Sequence, residues 1–363
     1  MRKLLVGVLF LTVVVVNTFI VLITVNVVSG NTSILFGIDQ PRQSEKADAA
    51  PLQTTEKKQK DTVTVSFAGD CTLGSFKGSD KQFANYYAQN GADYFLANVR
   101  GIFMADDITF VNLEGPLTAN PQVVEKQFSM RGEPWYVDIL KGSGVNVCNL
   151  ANNHIMDCGE KGFADTINLL KQNGINFCGE QHIAQMEING AKVCFLGYHG
   201  WENNSVLRQQ ISADIKVCRE GAKGAIVCVQ FHWGEEGAHY PNETQRSLAH
   251  FAVDSGADCV LGTHPHVIQG VEKYRGKVIA YSLGNFCFGA NNNPSDKDSF
   301  ILQQTFRSDG KIVKTEIIPC RISSRLDTND FRPVVLSGSE GNRVIDRLKQ
   351  YSSPFDETID CLR

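Results

Sequence analysis

From Thr62 onward, apolar residues come in short runs separated by polar, glycine-rich stretches. Val63–Phe67, Ile108–Leu113, Val145–Leu150, Ile175–Cys178, Val193–Tyr198, Ala225–Phe231, Ala257–Leu261 and Val278–Tyr281 are short and mostly apolar, so each predicts a strand. Between them, Gly159–Asn173, Ser205–Glu220 and Asn242–Ser255 read as helices, the first stopped by Gly174. The run from Lys81 to Ala105 reads as mostly helical, with Tyr86, Tyr87, Tyr94, Phe95, Val99 and Phe103 as apolar contacts. Pro134–Lys141 predicts a short helix with proline in its first turn. Late in the chain, Phe300–Phe306 and Ile312–Ile318 predict antiparallel strands about Asp309-Gly310, and Val344–Tyr351 a closing helix. Strands alternating with helices predict an α/β fold with both sheet faces covered.

The N-terminus breaks this pattern. Leu4–Val28 is apolar apart from Thr12, Asn17, Thr18, Thr24 and Asn26. That is long enough for a transmembrane helix, which takes ~20 apolar residues. Arg2 and Lys3 before it predict a cytoplasmic N-terminus and an extracellular remainder, a single-pass protein of the cell membrane. The stretch exceeds the ~7–15 residues of a signal-peptide core, so an uncleaved anchor is expected. The expected plan is an anchor over 1–28, a flexible polar linker over 29–61, a main domain over 62–320 and a C-terminal extension over 321–363 packing on it.

Composition narrows the classes. A chain of 363 residues can bury a sizeable core. Its 35 basic and 39 acidic residues give a net charge of −4, and no basic run interrupts the folded part, which argues against nucleic-acid binding. The eleven cysteines are odd in number and sit mostly inside apolar runs, so they are expected to be buried thiols with at most one or two bridges.

The chemistry-bearing residues gather just past strand ends, where α/β folds build sites. Six motifs recur: Gly69-Asp70, Asn112-Leu113-Glu114-Gly115, Asn152-Asn153-His154, His232-Trp233-Gly234-Glu235, Gly262-Thr263-His264-Pro265-His266, and Ser282-Leu283-Gly284-Asn285-Phe286. Singly, each has an ordinary explanation: Asp70 as a turn residue, Asn152 and Asn153 as a turn or cap, Glu114 as a surface carboxylate. Two imidazoles spaced i and i+2 in an extended turn project from one face. With a third at another strand end, and with carboxylates and an amide nearby, a divalent-metal site becomes the better reading.

In order and content these motifs resemble the CapA family of poly-γ-glutamate capsule-synthesis proteins, within the calcineurin-like metallophosphoesterase superfamily, over about residues 62–288. The resemblance implies a two-layered β-sheet sandwich flanked by helices and two divalent ions bridged by a carboxylate. Asp70 and His266 would ligate the first ion, Glu114 would bridge, and Asn153, His232 and His264 would ligate the second. Such mixed oxygen and nitrogen ligands suit Mn, Fe or Zn. His154 matches the general acid or transition-state stabiliser. Asn152, Asp157, Glu235 and Asn285 are expected to support ligands or face substrate, with Glu236 echoing the same family segment as Glu235. Trp233 is expected to shield the site and Arg131 to meet an anionic substrate. One departure stands out: Thr72 occupies the place, two residues after Asp70, where the superfamily usually has histidine.

The function implied is a membrane-anchored, extracellular, phosphoesterase-like hydrolase in the synthesis, export or anchoring of poly-γ-glutamate or a related surface polymer. Its expected partners are that anionic polymer, the membrane through the N-terminal helix, and membrane subunits of a capsule synthase. The alternatives are a non-catalytic polymer-binding or assembly subunit, and a metal-dependent amide hydrolase acting on the polymer.

Overall fold

Parallel strand pairing decides where the site forms. In the computed structural model, which describes residues 61–76, 82–222 and 224–362, the strand Thr62–Thr72 lies parallel to Ile108–Leu113, which lies parallel to Val147–Asn149. In a second sheet, Ile226–His232 is parallel to both Ala191–His199 and Cys259–Thr263. The C-terminal ends of these strands carry Asp70, Glu114, Asn152, Asn153, His232 and His264.

The first sheet has eight strands. Seven run in the order Val334–Val335, Ile312–Arg321, Asp298–Arg307, Thr62–Thr72, Ile108–Leu113, Val147–Asn149, Asn176–Cys178, and Asn285–Phe288 pairs off this path with Thr62–Thr72. The second has six: Val271–Tyr274, Lys277–Ala280, Cys259–Thr263, Ile226–His232, Ala191–His199, Ala184–Ile188. The sheets face each other across one core. Val63, Val65, Phe67 and Phe110 come from the first; Val193, Phe195, Ile226 and Leu261 come from the second. Phe110 and Phe195 stack across the interface with centroids 5.1 Å apart. Burying such a ring stabilises by roughly 1.5–3 kcal/mol. The outer face of the first sheet buries Phe103, Ile139 and Leu170 from its helices. The outer face of the second buries Ile211 and Ile215 from Ser205–Arg219 and Leu248 from Glu243–Asp254. The result is helices, sheet, sheet, helices, an α/β sandwich. Residues beyond Arg321 join the inter-sheet core through Val344, Leu348 and Tyr351 of the helix Gly338–Ser352.

Several expectations are corrected. The membrane-spanning helix expected over 1–28, and the linker after it, lie outside the described residues. Among the described residues no helix is long and apolar enough to cross a membrane. Over the described residues the fold class is the α/β sandwich, and the transmembrane helix is not carried further. Membrane anchoring, the membrane as a partner and a single-pass location are withdrawn with it. The helix expected over 81–105 is, from Gln82 on, three pieces: Gln82–Asn90, a 3-10 turn at Ala92–Tyr94 and Arg100–Ala105. Gly91 at φ 73° makes the first break. Six strands among the described residues were not expected: Ser75–Phe76, Met130–Arg131, Asn285–Phe288, Val334–Val335 and two that are each half of a tight hairpin. Ala184–Ile188 turns at Asn189-Gly190 (φ 51° and 79°), and Val271–Tyr274 turns at Arg275-Gly276 (φ 49° and 74°). Positive φ at both central residues matches the twist of the flanking strands. Among the described residues the cysteines are all free, buried except for Cys361, as the apolar runs imply.

Candidate metal centre

Asp70 reaches the site through a local irregularity. The pairing register of its strand shifts between Ala68 and Asp70, and Asp70 N–H donates to Gly284 O at 3.0 Å. That close approach requires glycine at 69, where a Cβ would stand 1.9 Å from Gly284 O. The Asp70 carboxylate then accepts from Asn112 Nδ2 at 2.7 Å and from the His264 backbone N–H at 3.3 Å.

The two imidazoles of His264-Pro265-His266 converge, by a route other than the expected extended turn. His264 has φ 92° and His266 φ 58°, left-handed conformations that cost on the order of 1–3 kcal/mol each for such residues. Their ring centroids lie 5.7 Å apart, and His232 lies 4.8 Å from His264.

Glu114 sits among them, 1% exposed. Its Oε1 is 3.5 Å from His232 Nε2 and 3.9 Å from His266 Nε2, while its Oε2 accepts from Thr72 Oγ1 at 3.2 Å. Two sets of ligand atoms share it: Asp70, Glu114 and His266, and Glu114, His232 and His264, the atoms of each set lying within 4.8 Å of one another. Asn153 Oδ1 meets His232 Nε2 at 2.8 Å. Two of the three rings are held at Nδ1: His232 by Thr263 Oγ1 at 3.0 Å, His266 by Asn285 Oδ1 at 2.8 Å. Such outer partners fix ring orientation and leave the other nitrogen for a ligand.

His154 stands at the edge of the cluster, its Nδ1 2.8 Å from Asp157 Oδ2. Asp157 is buried and also accepts from Met130 N–H at 2.6 Å and pairs with Lys126 at 2.5 Å. Asn152 caps the turn, accepting from His154 N–H at 3.2 Å and donating to Leu113 O at 2.9 Å. A cleft of about 660 Å³ opens over His154, Glu236, His266 and Asn285.

Electrostatics follow from burial. Burial holds Glu114 above the ordinary carboxylate range, and the nearby Asp70 adds to this. His232 is pushed well down by burial and by the other imidazoles, and His264 falls to about 4 for the same reasons. Burial also pulls His266 down, but the Glu114 and Asp70 carboxylates outweigh it and lift the ring to about 10. Glu114 Oε1 and His264 Nδ1 are buried with no hydrogen-bond partner. Orphaned buried acceptors of this kind are costly in a metal-free protein. Surrounded by carboxylate and imidazole, they fit a divalent cation.

Of the residues singled out in the sequence, Asp70, Glu114, Asn153, His154, His232, His264 and His266 come together, with Asn152, Asp157 and Asn285 against them. Glu235 does not: it is exposed and belongs to neither set, and its neighbour Glu236 lies near His264 and His266 instead. Trp233 is fully buried behind the site, donating to Tyr281 O at 2.9 Å. The indole on the imidazoles is Trp201, edge-on to His264 at 4.6 Å. Arg131 pairs with Glu133 at 2.6 Å and with Thr118 O. Asn112, quoted within its strand-end motif but given no role, has an amide that joins Asp70, Asn149 and Asn152. An asparagine inside the apolar run Ile108–Leu113 was the available signal. Trp201 had a weaker one, its place two residues past the end of a strand.

Comparisons with known proteins give the family. The profile of the family described as bacterial capsule synthesis protein PGA_cap matches residues 64–290. The chain is 32% identical over 270 residues to the PGA biosynthesis protein CapA of Bacillus subtilis (strain 168), covering 69% of each. It is 30% identical over 333 residues to the capsule biosynthesis protein CapA of Bacillus anthracis, covering 84% of this chain and 76% of that one. Among solved structures, the purple acid phosphatase PPD1 of yellow lupin (Lupinus luteus) aligns at a TM-score of 0.36 and 10% identity over 71% of this chain and 54% of that one, and no assignment rests on it. The chain belongs to the PGA_cap family of bacterial capsule synthesis proteins.

Proposed function

We propose that the chain is a metal-dependent hydrolase of phosphoester bonds that works in the biosynthesis of an anionic capsule polymer such as poly-γ-glutamate. One observation carries the reading: a buried, unpartnered Glu114 Oε1 stands between His232 Nε2 and His266 Nε2, at 3.5 and 3.9 Å. Asp70, Glu114 and His266 would hold one divalent ion; Glu114, Asn153, His232 and His264 would hold the other. Mn, Fe or Zn suits these donors. Bound there, such ions supply Lewis acidity and a hydroxide nucleophile at neutral pH.

The chain's own residues supply the remainder. Asp157 would accept from His154 Nδ1–H, so that the protonated ring presents Nε2–H to a leaving oxygen or to developing charge and is left neutral once that proton is given up. Thr263 and Asn285 hold His232 and His266 in ligating orientation. Thr72 and Asn112 fix the two carboxylates. Trp201 covers the imidazoles from one side. The setting in polymer biosynthesis is carried over from the names of the Bacillus relatives.

A second reading, a non-catalytic polymer-binding or assembly subunit, is favoured by Thr72. Its hydroxyl is engaged with Glu114 Oε2, so the first ligand set gains no imidazole from that position. Assaying the full-length chain on a generic phosphodiester, with and without Mn, separates the two. Metal-dependent turnover that His154→Ala abolishes, at unchanged metal content, supports the hydrolase. A metal-loaded protein with no turnover on phosphodiesters or phosphomonoesters sinks it.

A further inference from the structure

The loop that follows the strand Ile226–His232 brings a third carboxylate, after Asp70 and Glu114, to the centre. Glu236 is exposed, yet one of its oxygens lies within 4.8 Å of ligand nitrogens on both His264 and His266. It lines the cleft beside His154 and His266. The loop is pinned in that place: Gly237 N–H donates to the carbonyl of Pro265, the residue between the two imidazoles, at 2.8 Å. Gly234 and Gly237 have φ of 82° and 77°, which turns the chain back over the His-Pro-His segment.

The ligand sets have room for it. Asp70, Glu114 and His266 give three protein donors to one position, and transition ions take four to six. Thr72, the neighbour best placed to add a donor, is turned to Glu114. His264 keeps a buried ring nitrogen without a partner. We propose that Glu236 is a metal ligand at the solvent side of the centre, completing from the mouth what Glu114 bridges from the floor. The assignment rests on the metal-dependent reading above. Because this carboxylate is exposed, it is also the ligand that an anionic substrate oxygen would displace.

The test is a Mn²⁺ titration of the demetallated full-length chain, with free Mn²⁺ followed by electron paramagnetic resonance. Glu236→Ala should raise the dissociation constant of the more weakly held ion at least about tenfold. Glu236→Gln, which keeps an uncharged oxygen, should fall between Glu236→Ala and wild type. Glu235→Gln, an adjacent charge removed from outside the sets, should stay within about twofold of wild type. Matching thermal melts of the metal-free proteins check that each variant folds. If wild type binds Mn²⁺ and Glu236→Ala binds it with the same constants, this assignment alone fails. Equal weakening by Glu235→Gln and Glu236→Ala also overturns it, since the effect is then general charge. If wild type binds no Mn²⁺, the metal-dependent reading falls as well.

Discussion

His154 Nδ1 lies 2.8 Å from Asp157 Oδ2, and the same carboxylate accepts from the Met130 backbone and pairs with Lys126. A buried acid with three partners holds one imidazole in one orientation. Replacing it by an amide of equal shape offers His154 an acceptor or a donor and no longer selects the tautomer. Asp157→Asn should therefore lower turnover at least about 100-fold, with metal content unchanged. Steady-state kinetics beside elemental analysis checks this. Loss of metal together with activity would show that Asp157 supports the ligands and not His154.

Gly69→Ala places a methyl group where Gly284 O now sits, at 1.9 Å. The backbone on both sides is strand or strand-end, so relief requires moving Asp70 away from Gly284. A cost of about 1–3 kcal/mol is expected from such overpacking, together with weaker metal binding through Asp70. Denaturant melts and metal titration of the same variant measure the two effects. Wild-type stability would mean that the Asp70–Gly284 contact yields freely.

Much of this was legible in the chain. The strand-end motifs identified the cluster because parallel pairing brings strand ends to one edge, and six loops carried metal-type donors there. What stayed hidden depends on contacts between distant segments. Asn112 reads as a polar interruption in a strand until Asp70 and Asn149 are seen on either side. Glu235 and Glu236 are neighbours of one type, and only the turn at Gly234 and Gly237 decides which faces the imidazoles. Trp201, for which the sequence raised no expectation, stands on the imidazoles in place of Trp233, which is buried and stacked on Phe231 at 4.6 Å. The convergence of His264 and His266 came from left-handed backbone, which residue spacing does not reveal.

Proton release accompanies metal binding if the ligand sets are used. His266, lifted to about 10 by Glu114 and Asp70 against the pull of burial, carries a proton at neutral pH in the metal-free protein. Ligation needs the free ring nitrogen, so a bound ion displaces that proton. The sign follows: affinity rises with pH, by up to about tenfold per unit for each proton displaced, until the ring titrates on its own. His264, held down at about 4, is already neutral there and adds no such dependence above about pH 5. Calorimetry at pH 7 in buffers of differing ionisation enthalpy should show at least about half a proton released per protein. Identical heats in all buffers would contradict the assignment of His266.

Locating the ions directly decides the rest. Crystals of the full-length chain grown with Mn²⁺, measured on both sides of the manganese absorption edge, should give two anomalous peaks. Both should lie within bonding distance of Glu114, one also touching Asp70 and His266, the other His232 and His264. A peak-free cluster in a crystal containing Mn²⁺, or peaks only on surface carboxylates, would contradict the account.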